Sequence, residues 1–331
     1  MDVINLYGGS MARPQKLATS PTPPFSSSST TLVPATDVAA LLNPSPDALF
    51  ESVDAIFALI ENAIRTGDDS VVVASTSAKQ YNALCRERDA GGRKFRLFYL
   101  GTQTRILIIT VPTAAHEGMH YLLSAQLAGQ IAQMGLTTSW SSSAAATRAG
   151  PSNSRGEADG NFLPFPARAG ADQWPTIVFE AGYSQSEESL RAKMNWWFQA
   201  SNHNVKIVVL AKAFPQTLEK RLKIEQWQER SVEAVRSGAT ATRRSTAAAG
   251  AALQPTCLQT INISWAGLVP FNEATLAQVT DRQQYNVVRA PLVLEFGLVF
   301  LRPAVGPREH DFEFPTELLQ HYAASVWSST R

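Results

Sequence analysis

A strand, a helix and a second strand laid end to end between Trp174 and Ala211 constrain this chain more than any other stretch. Trp174 and Pro175 open the run Thr176-Ile177-Val178-Phe179, whose β-branched and aromatic content predicts a buried strand ending on Glu180, with Gly182 breaking it. A serine-rich turn, Ser184 to Ser186, precedes Glu187 and Glu188, which suit the positive end of a helix. Leu190, Met194 and Trp197 then recur at helical spacing and give that helix an apolar stripe to lay on the strand. It stops near Ser201-Asn202-His203-Asn204, and Val205 to Ala211 is a second buried strand. The crossover is long enough for the two strands to pair in parallel.

A carboxylate at the end of a central strand is costly to bury without a charged neighbour. Glu180 is such a group, and Asp159 lies ahead of the same strand. Two carboxylates brought side by side invite a cation. Magnesium takes oxygen ligands, commonly one or two carboxylates together with water and phosphate oxygens.

The phrases Glu157-Ala158-Asp159-Gly160-Asn161-Phe162, Trp174 to Ser184 (WPTIVFEAGYS) and Leu190 to Trp197 (LRAKMNWW) carry a resemblance. They are similar to the PD-(D/E)XK nuclease superfamily, and more narrowly to a group of fungal proteins with a nuclease-like domain of that superfamily. The likeness spans roughly His116 to Trp227. It implies an α/β domain with a restriction-endonuclease-like mixed sheet flanked by helices, and Mg2+- or Mn2+-dependent hydrolysis of DNA or RNA. It also implies Asp159 and Glu180 as metal ligands, with Glu117, at the head of the helix beginning near His116, as a possible third.

The chain departs from the superfamily pattern twice. Ala158-Asp159 stands where the first motif has Pro-Asp, and Glu180-Ala181-Gly182 stands where the second has Glu-x-Lys. Alternate strand residues share a face, so position 182 is where a lysine would join Glu180, and glycine supplies no charge there. Of the basic residues on the following helix, Lys193 borders the stripe that packs on the strand, whereas Arg191 aligns with Asn195 on another side. Lys193 is therefore the better candidate, the alternative being a solvated lysine whose aliphatic stem covers Trp197, and the candidate catalytic set is Asp159, Glu180, Lys193 and Glu117. The departures leave a second reading open, a nuclease-like fold without catalysis that serves as a binding or regulatory module.

The rest of the chain frames this unit. With 331 residues, 44% hydrophobic and 17% charged, it can bury one sizeable core, and the expectation is one domain from about residue 46 to 331. Residues 1–45, with Ser/Thr/Pro-rich sequence from about Ala12 to Ala35, read as a disordered leader without a secretory signal. Flexible inserts are expected near 141–156 and 230–254, where Ser, Ala, Gly and Thr dominate.

A formal net charge of +1 provides no global field toward nucleic acid or membrane. Cys85 and Cys257 fit no metal or disulfide spacing, which points to an intracellular setting, cytoplasm or nucleus. A helix is expected from Ala48 to Ile64, a hairpin over Arg93–Val111, an edge strand at Leu222–Trp227, further strands at Leu258–Ala266 and Leu292–Arg302, and a closing helix over Glu317–Trp327. The expectation is that the chain has no internal repeat, P-loop, Rossmann fingerprint, His-Glu-x-x-His or nucleophile elbow, and so no sequence support for nucleotide hydrolysis, hydride transfer or triad chemistry.

Overall fold

The computed structural model describes residues 44–143, 146–170, 172–232 and 252–330. In chain order these form β1 (Ala48–Leu49), α1 (Val53–Thr66), β2 (Ser70–Ala74), α2 (Ala78–Ala90), β3 (Arg96–Tyr99), β4 (Leu107–Thr110), α3 (Ala114–Gln133), β5 (Trp140–Ser141), β6 (Thr147–Ala149), β7 (Arg155–Glu157) and β8 (Gly160–Pro164). There follow β9 (Ile177–Gly182), α4 (Glu187–Ala200), β10 (Ile207–Phe214), β11 (Arg221–Val232), β12 (Ala252–Trp265), α5 (Leu276–Thr280), β13 (Tyr285–Val288), β14 (Leu292–Leu294), α6 (Phe296–Phe300), β15 (Phe312–Phe314) and α7 (Thr316–Ser328).

Among the described residues the architecture is mixed α/β, with two mixed sheets and a small two-stranded antiparallel sheet, β14 with β15. One sheet runs β1-β2-β4-β3-β7-β6 and the other β13-β12-β11-β10-β9-β8-β5. As expected, β9 and β10 are parallel neighbours near the middle of the larger sheet, with Glu180 opposite Leu210. Strand parity then sorts the layers. Ile177, Phe179 and Ala181 face the core shared with α3 and α7, while Val178 faces the core shared with α4.

The smaller sheet is sorted in the same way. Val71, Val73, Leu97, Tyr99, Leu107 and Ile109 pack beneath α1 and α2, while Val72, Phe98 and Ile108 pack toward α4. The helix α4 is thus enclosed between two sheets. Phe98 meets Trp196 and Trp197 edge-on at centroid distances of 4.9 and 5.9 Å.

Several sequence expectations need correction. Asp47 pairs with Val72 through backbone and side chain, which draws Ala48 and Leu49 into a strand, so α1 starts only at its Ser52 cap. The expected edge strand is the interior strand β11, whose pairing with β12 reaches Val232 and Ala252, into the expected insert. The remainder of that insert, 233–251, and the leader, 1–43, lie outside the described residues. The stretch 141–156 contains two short paired strands and a 3-10 turn.

Leu292–Arg302 divides into β14 and α6 because Asp311 accepts from Phe296 N and starts a helix there. An apolar run of that length does not by itself choose between strand and helix. Among the described residues no helix is long and apolar enough to cross a membrane.

Candidate functional site

The site forms where the chain changes sheets. β7 belongs to the smaller sheet and β8 to the larger, so Ala158-Asp159 is the link between them. Asp159 Oδ2 accepts from the Ala181 amide at 2.9 Å, which ties the link to β9. Across the pair, Gly160 lies opposite Phe179. A Cβ on Gly160 would come within 2.9 Å of Ser124 Oγ on α3, so glycine lets that helix approach.

Glu180 is fully buried. Its Oε2 accepts from Lys193 Nζ at 3.0 Å and its Oε1 from Trp197 Nε1 at 2.7 Å. Lys193 Nζ also donates to Thr110 Oγ1 at 3.1 Å, so β4, β9 and α4 meet at this ammonium. Lys193 is buried beside Glu180 rather than solvated, and position 182 is closely packed. A Cβ there would lie 3.0 Å from Gln185 Cβ and 3.1 Å from Leu190 Cδ1. Burial pushes the Glu180 carboxyl up, opposed by Lys193 and Trp197, while burial pulls Lys193 down and the charges of Glu180 and Asp159 outweigh it, so its value is raised.

A second layer lies over Asp159. His116 is held through Nδ1 by Asp69 Oδ2 at 3.0 Å, and its Nε2 is 3.3 Å from Asp159 Oδ1. Asp69 also accepts from the amides of Tyr183, Ser184 and Gln185 at 2.5, 2.7 and 2.9 Å, in the turn leading to α4. Burial alone would lower the imidazole pKa, but the two carboxylates raise it to about 9. Asp159, which burial alone would raise, is held well below the usual carboxylate range by His116, Lys193 and Arg96.

Arg96 Nη1 lies 2.7 Å from Glu117 Oε1, 3.4 Å from Asp159 Oδ1 and 3.5 Å from His116 Nε2. Glu117 Oε2 contacts His120 Nε2 at 3.2 Å. Despite partial burial, hydrogen bonds from His120 and Arg96 lower Glu117 to about 2. Asp159 and His120 line a cavity of about 440 Å3, walled by Tyr121, Trp140 and Phe162.

All four expected residues therefore belong to one network, but they divide by access. Glu180 and Lys193 form a sealed pair: the Glu180 side chain has no exposed surface and Glu180 does not line the cavity that Asp159 lines, whereas the Glu117 side chain is 41% exposed, so Glu117 and Asp159 are the better placed of the three expected ligands. Glu117 and Asp159 do fit a shared cation, with Arg96 Nη1 as its stand-in.

Asp69, Arg96, His116 as an Asp159 partner and His120 were missed. Nothing local marks Asp69. Arg96 alternates with the buried Leu97 and shares its face with Phe98, which packs toward α4 rather than water. His120 did carry a signal. His116-Glu117-Gly118-Met119-His120 spells His-Glu-x-x-His, which corrects the expectation that the chain has no such motif, and it places both imidazoles on one helix face.

No protein-family model matches the chain, and no curated protein does either.

Proposed function

We propose that the protein is a divalent-metal-dependent phosphodiesterase of DNA or RNA, with a restriction-endonuclease-like, PD-(D/E)XK-type site built on Asp159 and Glu117. The observation that carries this reading is the shared cation: Arg96 Nη1 sits between Glu117 and Asp159 at 2.7 and 3.4 Å. Two carboxylates from different elements already converge on one positive charge, beside a cavity that Asp159 lines. The order of elements supports the fold assignment. A glutamate-bearing helix leads to an antiparallel pair, β8 with β9, and then through α4 to the parallel strand β10.

Mg2+ or Mn2+ held by Glu117 and Asp159 would polarise a phosphate oxygen and lower the pKa of an attacking water. The protein's own groups prepare that place. His116 and Lys193 keep Asp159 ionised. Ala181 N fixes one of its oxygens, leaving Oδ1 toward the cations. Lys193 is too deeply buried to touch substrate and acts through the field it sets at Asp159. One observation favours the second reading, a non-catalytic binding or regulatory module: the guanidinium that marks the cation's place also fills it.

The test is cleavage of labelled single- and double-stranded DNA and RNA by the full-length protein with Mg2+ or Mn2+. Asp159→Asn, shown folded by circular dichroism, is expected to lower the rate roughly a hundredfold or more. Cleavage that persists in this variant, or in excess chelator, rules out the site. A folded protein that cuts none of these substrates supports the non-catalytic reading.

A further inference from the structure

The ligand-capable atoms of His116, Glu117 and His120 lie within 4.8 Å of one another. We propose that this cluster on α3 is a binding site for a borderline transition-metal ion of the Zn2+ class. This names an ion and a ligand set different from magnesium between oxygens, and it does not depend on phosphodiester hydrolysis.

Four features of the protein support it. The donor set is two imidazoles and a carboxylate, which suits Zn2+ or Co2+ and gives Mg2+, an oxygen-seeking ion, no advantage. The spacing i, i+1, i+4 on one helix brings the donors together without help from loop geometry, and α3 is firmly started by Thr113, whose hydroxyl accepts from His116 N at 3.2 Å. His116 also has the outer support a metal-bound imidazole needs. Asp69 holds its Nδ1 at 3.0 Å, which aims Nε2 at the cluster. Asp69 is itself fixed by three backbone amides, so the ring cannot turn away.

The fourth feature is that a cation already sits among these donors. Arg96 Nη1 contacts Glu117 Oε1 at 2.7 Å and His116 Nε2 at 3.5 Å. A dication binding here replaces that single charge, and any proton on His116 Nε2 is released as the nitrogen lone pair turns to the metal. Arg96 is therefore a competitor, and the cavity lined by His120 and Asp159 provides a path of entry.

The experiment is titration of the metal-free full-length protein with Zn2+ and, separately, Mg2+ by calorimetry, with Co2+ as the spectroscopic probe. The expected result is one Zn2+ per chain, a Co2+ form of the metal-free protein with the intense visible absorption of a low-coordinate nitrogen/oxygen site that added Zn2+ abolishes, and Mg2+ failing to compete at equal concentration. His120→Ala, or His120→Gln should the alanine variant not fold, is expected to weaken Zn2+ roughly a hundredfold. Asp69→Asn is expected to weaken it about 10–100-fold, and Arg96→Met to strengthen it. Zn2+ affinity unchanged in the folded His120 variants, or Mg2+ binding as tightly as Zn2+, overturns the proposal. Tight Zn2+ binding without nucleic-acid cleavage leaves this site standing and removes only the hydrolysis reading.

Discussion

Glu180 and Glu117 each accept from a basic side chain, Lys193 at 3.0 Å and Arg96 at 2.7 Å, and each has its second oxygen in contact with a ring nitrogen, Trp197 Nε1 and His120 Nε2, yet they belong to different kinds of region. The Glu180 side chain has no exposed surface, and it lies between two sheets with both oxygens bonded. The Glu117 side chain is 41% exposed, at the head of a helix beside a cavity. Contact distance therefore says little about what a charged pair does. In the sealed layer water cannot replace a lost partner, so the pair is a condition of the fold. In the outer layer water or an ion can take the partner's place, and exchange becomes chemistry.

The largest expected effect is on the sealed side. Glu180→Gln leaves Lys193 charged and buried, and should destabilise the protein by about 3–5 kcal/mol in denaturant titration. The double variant Glu180→Gln/Lys193→Met should recover much of that loss, because it removes the stranded charge. Equal destabilisation by the single and double variants would show that the two layers are not distinguished by burial. It follows that Glu180→Gln is a poor probe of catalysis here.

Next in size is a pH effect at the border between the layers. His116 is raised from 6.5 to about 9 in the folded protein. A raised value means that its stabilisation is complete below about pH 6.5 and lost as pH rises through 9, on the order of 3 kcal/mol in all. Unfolding free energies measured from pH 6 to 10 should fall across that window, and His116→Asn should flatten the profile. A profile that keeps its slope in this variant assigns the effect to another group.

The smallest effect is expected at Glu117. Glu117→Gln should change stability by less than about 1 kcal/mol, since its partners are partly solvated. A loss as large as that of Glu180→Gln would erase the contrast between the two regions.

Local pattern alone determined the strand-helix-strand unit, the parallel pairing of β9 with β10, and the caps and first-turn acids of α4, while it left Lys193 a candidate that the enclosure of α4 between two sheets placed beside Glu180. Each depends on side-chain period within one element, or on the short crossover between neighbours, and period is written in the sequence. The His-Glu-x-x-His spacing on α3 was equally legible. Tertiary structure alone decided that the face of β3 carrying Arg96 and Phe98 packs toward a helix rather than water, which brings Arg96 into the site. It also decided that Asp69, in a turn nearly fifty residues before His116, fixes that imidazole, and that Glu180 is sealed while Glu117 is reachable. Alternation along a strand tells which residues share a face, but what covers that face depends on segments distant in the chain.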